Sequence, residues 1–361
     1  MSDAQIEAAA AAAQKKLDTH LVEIIKWHFS PETGSPFWLE WAKKAGWDPV
    51  KEIKTTADLK RFPHFEDNWL RDEANERWVP NAYKGKPFHI FETGGTTGMP
   101  KQRVSWEDHK LDYSEFSNTL SDKYFPRGAK WMSIGPTGPR RLRLAVEHLA
   151  NVRGGSCYHV DLDPRWVVKL LGMKKFDEAN LYKDHVIDQA VTILKHRKDI
   201  KCLFTTPKLL EALGEKINVT EAGITGVFCG GTSMTAQMVR FLTEEVLENK
   251  AQFVPTYGNT LMGLACSRTL LPEDNWSVTY YAPQPRAVLR VVDPKNTDVT
   301  VGYGEWGRVE LTTLTKEFFV PRFLERDEVI RRKPCAQYAW DGVGDVRPFG
   351  MMEKKVVEGV Y

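Results

Sequence analysis

Cysteine is scarce in this chain of 361 residues: Cys157, Cys202, Cys229, Cys266 and Cys335 are odd in number and stand far apart. That spacing offers neither a paired zinc motif nor a disulfide framework, and it implies reduced thiols in a cytoplasmic protein. Charge of one sign is equally lacking, with 50 Lys and Arg set against 48 Asp and Glu. A nucleic-acid surface needs basic residues concentrated on one face, so no nucleic-acid partner is expected. Long apolar runs are missing, and the alanine-rich amino terminus carries Asp3 and Glu7 but no arginine. This argues against a signal, an anchor or a transit peptide, and no membrane contact is expected. No internal repeat is visible. The Gly-Lys-Ser/Thr ending of a Walker A loop is also missing from the one Gly/Thr-rich stretch that invites the comparison.

What is present is the composition of an ordinary soluble protein, 42% hydrophobic and 27% charged. The length suits one large multi-layer domain or two fused subdomains. Residues 3–30 read as an amphipathic helix through Leu17, Leu21, Ile24, Ile25, Trp27 and Phe29. Tryptophans at 38, 41, 47, 69 and 78 read as packing residues of a helical region reaching to about residue 90. From 91 to 271 strand and helix patterns alternate. Strand candidates at 130–135, 156–161, 202–205, 227–229 and 253–256 are separated by helices, including one capped by Thr206 with Pro207 behind it. Ser105 reads as the N-cap of a helix reaching Leu120. The order implies an α/β fold, a parallel sheet with helices on both faces. Beyond about Pro272, short β-branched and aromatic runs imply a β-rich C-terminal subdomain over 272–361.

The stretch Phe91-Glu92-Thr93-Gly94-Gly95-Thr96-Thr97-Gly98-Met99-Pro100-Lys101 reads as a phosphate cradle. Its glycines let the backbone approach an anion, its threonines supply hydroxyl donors, and Lys101 supplies a point charge. Gly230-Gly231-Thr232 follows a strand, at the carboxyl end of a parallel sheet where such folds bind ligands. Tyr257-Gly258-Asn259-Thr260 follows the next strand, after Thr256, and Gly344-Asp345 stands near the end of the chain.

Thr-Gly-Gly-Thr-Thr-Gly-Met-Pro-Lys closely resembles the phosphate loop of the adenylate-forming superfamily of acyl-CoA synthetases, luciferases and adenylation domains. The three later motifs resemble that family's too, so the likeness runs from about Phe91 to Asp345. It implies the fold of the family's large N-terminal domain and an activity: ATP-dependent activation of a small carboxylic acid, whose acyl group then passes to a thiol such as coenzyme A or a carrier protein. It further implies that Thr93, Gly94, Gly95, Thr96, Thr97, Gly98 and Lys101 hold the phosphates, with Lys101, Thr96 and Thr260 serving catalysis. Gly230, Gly231, Thr256, Tyr257 and Gly258 line the nucleoside, and Asp345 holds the ribose hydroxyls. His148, Gly231 and Tyr257 border the acyl group.

Two departures from the family pattern stand out. Leu261 occupies the position of the magnesium-ligating glutamate, so Glu305, water or ATP itself is left to hold Mg²⁺. The chain ends at Tyr361, before the family's mobile C-terminal lid could begin. Lys354 and Lys355 are the only lysines after Asp345, and a carrier or lid-supplying partner is expected. This lidless layout resembles the acyl-protein synthetases of bacterial bioluminescence and, in texture, the phenylacetate-CoA ligases. A catalytically reduced nucleotide-binding scaffold is the alternative. Among weaker features, His159, Asp161 and Asp163 alternate on one strand face, His185 and Gln189 lie four apart on a helix, and Cys335 is a conceivable acyl acceptor. Arg140, Arg141 and Arg143 crowd a helix start, where a bound anion would offset their repulsion.

Overall fold

The computed structural model describes residues 1–94, 99–138, 141–230 and 234–350. Gly95, Thr96, Thr97, Gly98, Arg140, Gly231, Thr232, Lys354 and Lys355 lie outside the described residues. Among the described residues, no helix is long and apolar enough to cross a membrane.

The strands, in chain order, are β1 (His89–Glu92), β2 (Gln102–Ser105), β3 (Lys130–Gly135), β4 (Cys157–Asp161), β5 (Ile200–Thr205), β6 (Gly226–Cys229) and β7 (Gln252–Asn259). They continue with β8 (Gly263–Ser267), β9 (Thr279–Tyr281), β10 (Ala287–Asp293), β11 (Asn296–Thr300), β12 (Trp306–Leu314), β13 (Phe319–Arg332) and β14 (Gly342–Pro348). β1 and β2 form a separate antiparallel hairpin, and the others form one sheet ordered β11-β10-β12-β13-β14-β9-β8-β7-β6-β5-β3-β4. From β4 to β7 the pairs are parallel, and from β7 to β11 they are antiparallel. The C-terminal strands expected as a β-rich subdomain are therefore continuous with the parallel half. They share β7 with it.

The parallel strands are apolar on both sides, as strands covered on both faces must be. Alternation sorts their side chains into two layers. Trp131, Cys202, Phe204 and Phe228 face the helices Asp108–Thr119 and Arg141–Val152, packing with Tyr113, Phe116, Val146 and Leu149. Met132, Leu203 and Val227 face the other way, toward Val186, Ile187, Ala190 and Leu194 of helix Phe176–His196 and Leu210 and Leu213 of helix Pro207–Lys216. Thr206 caps that last helix by accepting from the Leu209 amide, with Pro207 in the first turn, as its sequence predicts.

The N-terminal helix, Asp3–His28, buries Leu17, Leu21, Ile24 and Ile25. The rings of Phe29, Trp38, Trp41 and Phe62 pack on one another and, all but Trp41, on Phe319 of β13. The Trp38 indole donates to the Phe319 carbonyl at 3.1 Å. The tryptophan-rich region is thus fastened to the antiparallel half.

One cap differs from expectation. Ser105 ends β2, and the helix begins at Asp108. The buried Glu317 carboxylate takes the role foreseen for Ser105. It accepts from the amides of Trp106 (2.8 Å), Glu107 and Asp108 (3.1 Å) and from the Ser105 hydroxyl (2.9 Å). A full negative charge on the orphan donors of a helix start is a stronger cap than a hydroxyl.

Candidate active site

The Gly/Thr-rich stretch is the loop of the β1–β2 hairpin. Its root is closed twice: the Thr93 amide donates to the Lys101 carbonyl at 3.0 Å, and the Lys101 amide donates to Thr93 Oγ1 at 3.1 Å. The Lys101 side chain is buried. Its Nζ bonds Asp67 Oδ1 at 2.9 Å and lies 4.6 Å from the centre of the Phe323 ring. The hairpin touches the sheet at the turn after β7, where Thr260 Oγ1 donates to the Glu92 carbonyl at 3.3 Å and Arg103 Nη1 donates to the carbonyls of Thr260 (3.1 Å) and Leu261 (2.6 Å).

Because β3, β5, β6 and β7 run parallel, their carboxyl ends open on the same side. A cavity of about 260 Å³ lies there, walled by Pro136 after β3, Thr206 after β5, Gly230 after β6, and Thr256, Gly258, Asn259 and Thr260 at the end of β7. Thr93 and Gly94 from the hairpin complete that side, and Tyr113, Arg141, Leu142, Phe204 and Leu264 form the rest of the wall. Residues far apart in the sequence thus converge where open α/β sheets hold ligands. Gly230 keeps the wall thin: a Cβ there would sit 2.9 Å from Thr256 Oγ1, which donates to the Cys229 carbonyl.

Tyr257 follows the strand alternation and projects away from that cavity, toward the antiparallel half. Its hydroxyl donates to Asp327 Oδ2 at 2.6 Å, and its ring lies 5.8 Å from that of Tyr280. The acid beside Tyr257 is therefore Asp327 of β13 and not Asp345. Asp345 sits in β14 in the left-handed region, φ 52°, with Oδ1 accepting from Ser277 Oγ (3.0 Å) and Oδ2 paired with Arg332 Nη2 (2.6 Å). Asp327 opposes Pro348 in the β13–β14 register, three residues beyond Asp345, a strand distance of roughly 10 Å.

Next to Asp327, Glu325 is buried and accepts from Asn259 Nδ2 at 2.8 Å. Burial pushes its carboxyl up to about 7, against the pull of the Lys101 charge. Burial raises Asp327 as well, and it pushes the Tyr257 phenol well above its ordinary range, helped by the two acids. Glu325 and Asp327 are absent from the sequence expectations. Two acids at i and i+2 within one strand share a face, and that spacing was the available signal.

The remaining candidates are scattered. His148 lies on the helix pair and not on the cavity wall, its Nε2 2.8 Å from Ser114 Oγ. Arg141 and Arg143 separate: Arg143 pairs weakly with Glu147 at 3.4 Å, while Arg141 is buried at the cavity with Nη2 on Asp112 Oδ2 at 2.7 Å. Asp161 accepts from the Thr137 amide and hydroxyl, and Asp163 caps helix Pro164–Gly172, so the 159–163 face forms no ligand set. His185 and Gln189 bond each other at 3.0 Å on the surface. Cys335 is half-buried and unpaired. Leu261 is buried beside Thr313, whose hydroxyl donates to its carbonyl at 3.0 Å. Glu305 precedes the opposite end of β12, more than roughly 20 Å from Thr313 at strand rise, and accepts from the Gly302 amide. It cannot stand in for a ligand at Leu261. Among the described residues, no three His, Cys, Asp or Glu side chains are grouped to hold a metal ion.

No family model and no curated protein sequence matches this chain. Its backbone does match solved structures. An open conformation of 2-hydroxyisobutyryl-CoA ligase, in complex with 2-HIB-AMP and CoA, superposes with a TM-score of 0.68 at 14% identity, over 95% of this chain and 76% of that one. The same ligase in its postadenylation state with 2-HIB-AMP gives 0.70 at 16% identity, over 97% and 70%. In its thioesterification state it gives 0.65 at 17% identity, over 94% and 68%. The chain has the fold expected from its motifs, that of the large N-terminal domain of adenylate-forming enzymes.

Proposed function

We propose that this protein activates a small carboxylic acid with ATP, giving an acyl adenylate and pyrophosphate, and that the acyl group then passes to a thiol such as coenzyme A or a carrier protein. The observation that carries this reading is the cavity at the carboxyl ends of β3, β5, β6 and β7, bordered by the root of a Gly/Thr-rich hairpin. The ligase of like fold supports it, since its structures hold an acyl adenylate and CoA.

In this reading the carboxylate oxygen attacks the α-phosphorus, and the bond to pyrophosphate breaks. The protein supplies alignment and field rather than covalent chemistry. Thr93, Gly94 and Thr260 surround the phosphates, and the motif resemblance gives Thr96 and Thr97 the same role. Lys101 adds positive potential at the loop's root, where Asp67 and the Phe323 ring hold it in place. The wall at Gly230 and Gly258 suits a flat base against bare backbone. We assign the ribose hydroxyls to Asp327, the acid at Tyr257, in place of Asp345, so that in this reading the nucleotide reaches from the cavity over the end of β7 to the Tyr257 side. Leu261 and the absence of a grouped ligand set among the described residues do not fit a protein-held magnesium ion, so no step is routed through one.

A second reading, a nucleotide-binding scaffold, is favoured by Leu261 alone. Pyrophosphate exchange into ATP, screened over short carboxylic acids, separates the two. Acid-dependent exchange is expected. Nucleotide binding with no exchange for any acid would establish the scaffold instead.

A further inference from the structure

Of the two described arginines of the cluster, Arg141 lines the cavity and Arg143 does not, and the hydrogen bonding of Arg141 is unfinished. The residue is 6% exposed. Nη2 is spent on Asp112, but among the described residues Nε and Nη1 are buried with no partner. A buried donor left unmet costs about 1–3 kcal/mol. A guanidinium cannot escape that cost by losing its proton.

The one acid that Arg141 does hold is not its alone. Asp112, with a side chain only 4% exposed, is shared between Arg141 and Arg286, whose Nη2 lies 2.9 Å from Oδ1. Glu115 also pairs with Arg286, but its side chain is 57% exposed and its charge is largely screened by water. Asp112 is thus divided between two guanidiniums, and Arg141 holds only one of its oxygens. Gly263 brings this cluster to the cavity wall. It adopts φ 105°, and a Cβ there would stand 2.1 Å from Asp112 Oδ2 and 3.2 Å from Arg141 Nη1.

We propose that the acid activated in this cavity carries a second carboxylate, and that Arg141 binds it. This rests on the reading given under Proposed function and names the substrate class of the same site. One carboxylate of the substrate meets the nucleotide beside Thr93 and Thr260. The other meets the unused N–H groups of Arg141, and the carbons between them lie against Tyr113, Leu142 and Phe204.

The test uses the full chain and matched pairs of acids: malonate with propionate, succinate with butyrate, glutarate with pentanoate. Pyrophosphate exchange gives kcat/KM for each, and calorimetry with AMP present gives affinity. At least one diacid is expected to exceed its monoacid partner about 100-fold, the usual order for a charge-assisted bond lost from a buried arginine. Arg141→Gln should abolish the preference by raising KM for the diacid far more than for its monoacid partner. Monoacids that exchange or bind as well as their diacid partners in the wild-type protein overturn the proposal, whatever the stability of the variant. If no acid supports exchange, the activity reading fails, and affinity alone decides: a diacid preference removed by Arg141→Gln upholds the Arg141 site, and equal or absent binding sinks it.

Discussion

Two buried cations border the candidate site, and they are provided for differently. Lys101, at the root of the hairpin, has a counter-ion in Asp67 and an aromatic face in Phe323. Arg141, at the start of its helix, has one nitrogen bonded and two without partners among the described residues. The first arrangement is complete without a ligand and can serve as framework. The second is complete only with an acceptor that the described residues do not supply. A fold that buries an unmet guanidinium accepts a stability cost at that point, and binding returns it.

The sharpest way to break the contrast is at Gly263. Gly263→Ala forces a Cβ into Asp112 at a left-handed φ, so the Asp112–Arg141 pair must move or the turn must refold. A loss of about 3 kcal/mol is expected in urea unfolding. A loss below about 1 kcal/mol would mean that the turn yields easily and the pair is not fixed.

Lys101→Ala tests the completed side. A fall of about 100-fold in pyrophosphate exchange is expected, with little change in Tm, because Asp67 keeps Arg71 at 2.7 Å. Unchanged exchange would reduce Lys101 to framework alone.

Glu325 sharpens the contrast through pH. Its folded pKa is raised, from 4.5 to about 7, so the folded state holds its proton longer than the unfolded one. The sign follows: the stability from protonated Glu325 is fully present below about 4.5 and is lost as pH rises through about 7. Glu325→Gln, which mimics the neutral form and can still accept from Asn259, should match the wild type at pH 4.5 and exceed it by about 3 kcal/mol at pH 8. Parallel pH curves in chemical denaturation would show that Glu325 titrates normally.

The smallest expected effect separates two aspartates. Asp327→Asn should weaken AMP and ATP alike by about 10-fold, the scale of one charge-assisted hydrogen bond, and Asp345→Asn should leave both unchanged. The reverse pattern, read by nucleotide titration, would return the ribose to Asp345.

Much of the fold was legible because its signals are local. Thr206-Pro207 announces a helix start, and the apolar runs at 130–135 and 227–229 announce buried strands. The hairpin loop was legible for the same reason, since its residues are contiguous. Asp327 was not. It meets Tyr257 across the sheet after a separation that no spacing rule covers, while Gly344-Asp345 presents a motif-like pair nearby in sequence. Ser105 misled in the same way: a hydroxyl before acids looks like a cap, but the capping group, Glu317, comes from a distant part of the chain. Arg141 was visible only as one of three crowded arginines. Its distinction from Arg143 is burial, which the sequence does not carry.

β7 is bonded on one edge to parallel β6 and on the other to antiparallel β8. A strand that belongs to both halves leaves no seam along which they could come apart. Melting either half strips β7 of a neighbour and exposes its backbone to water, so the halves lend each other cooperativity. The turn that carries Thr260 hangs from this shared strand. Its geometry is thus underwritten by the whole sheet and lasts as long as the sheet does.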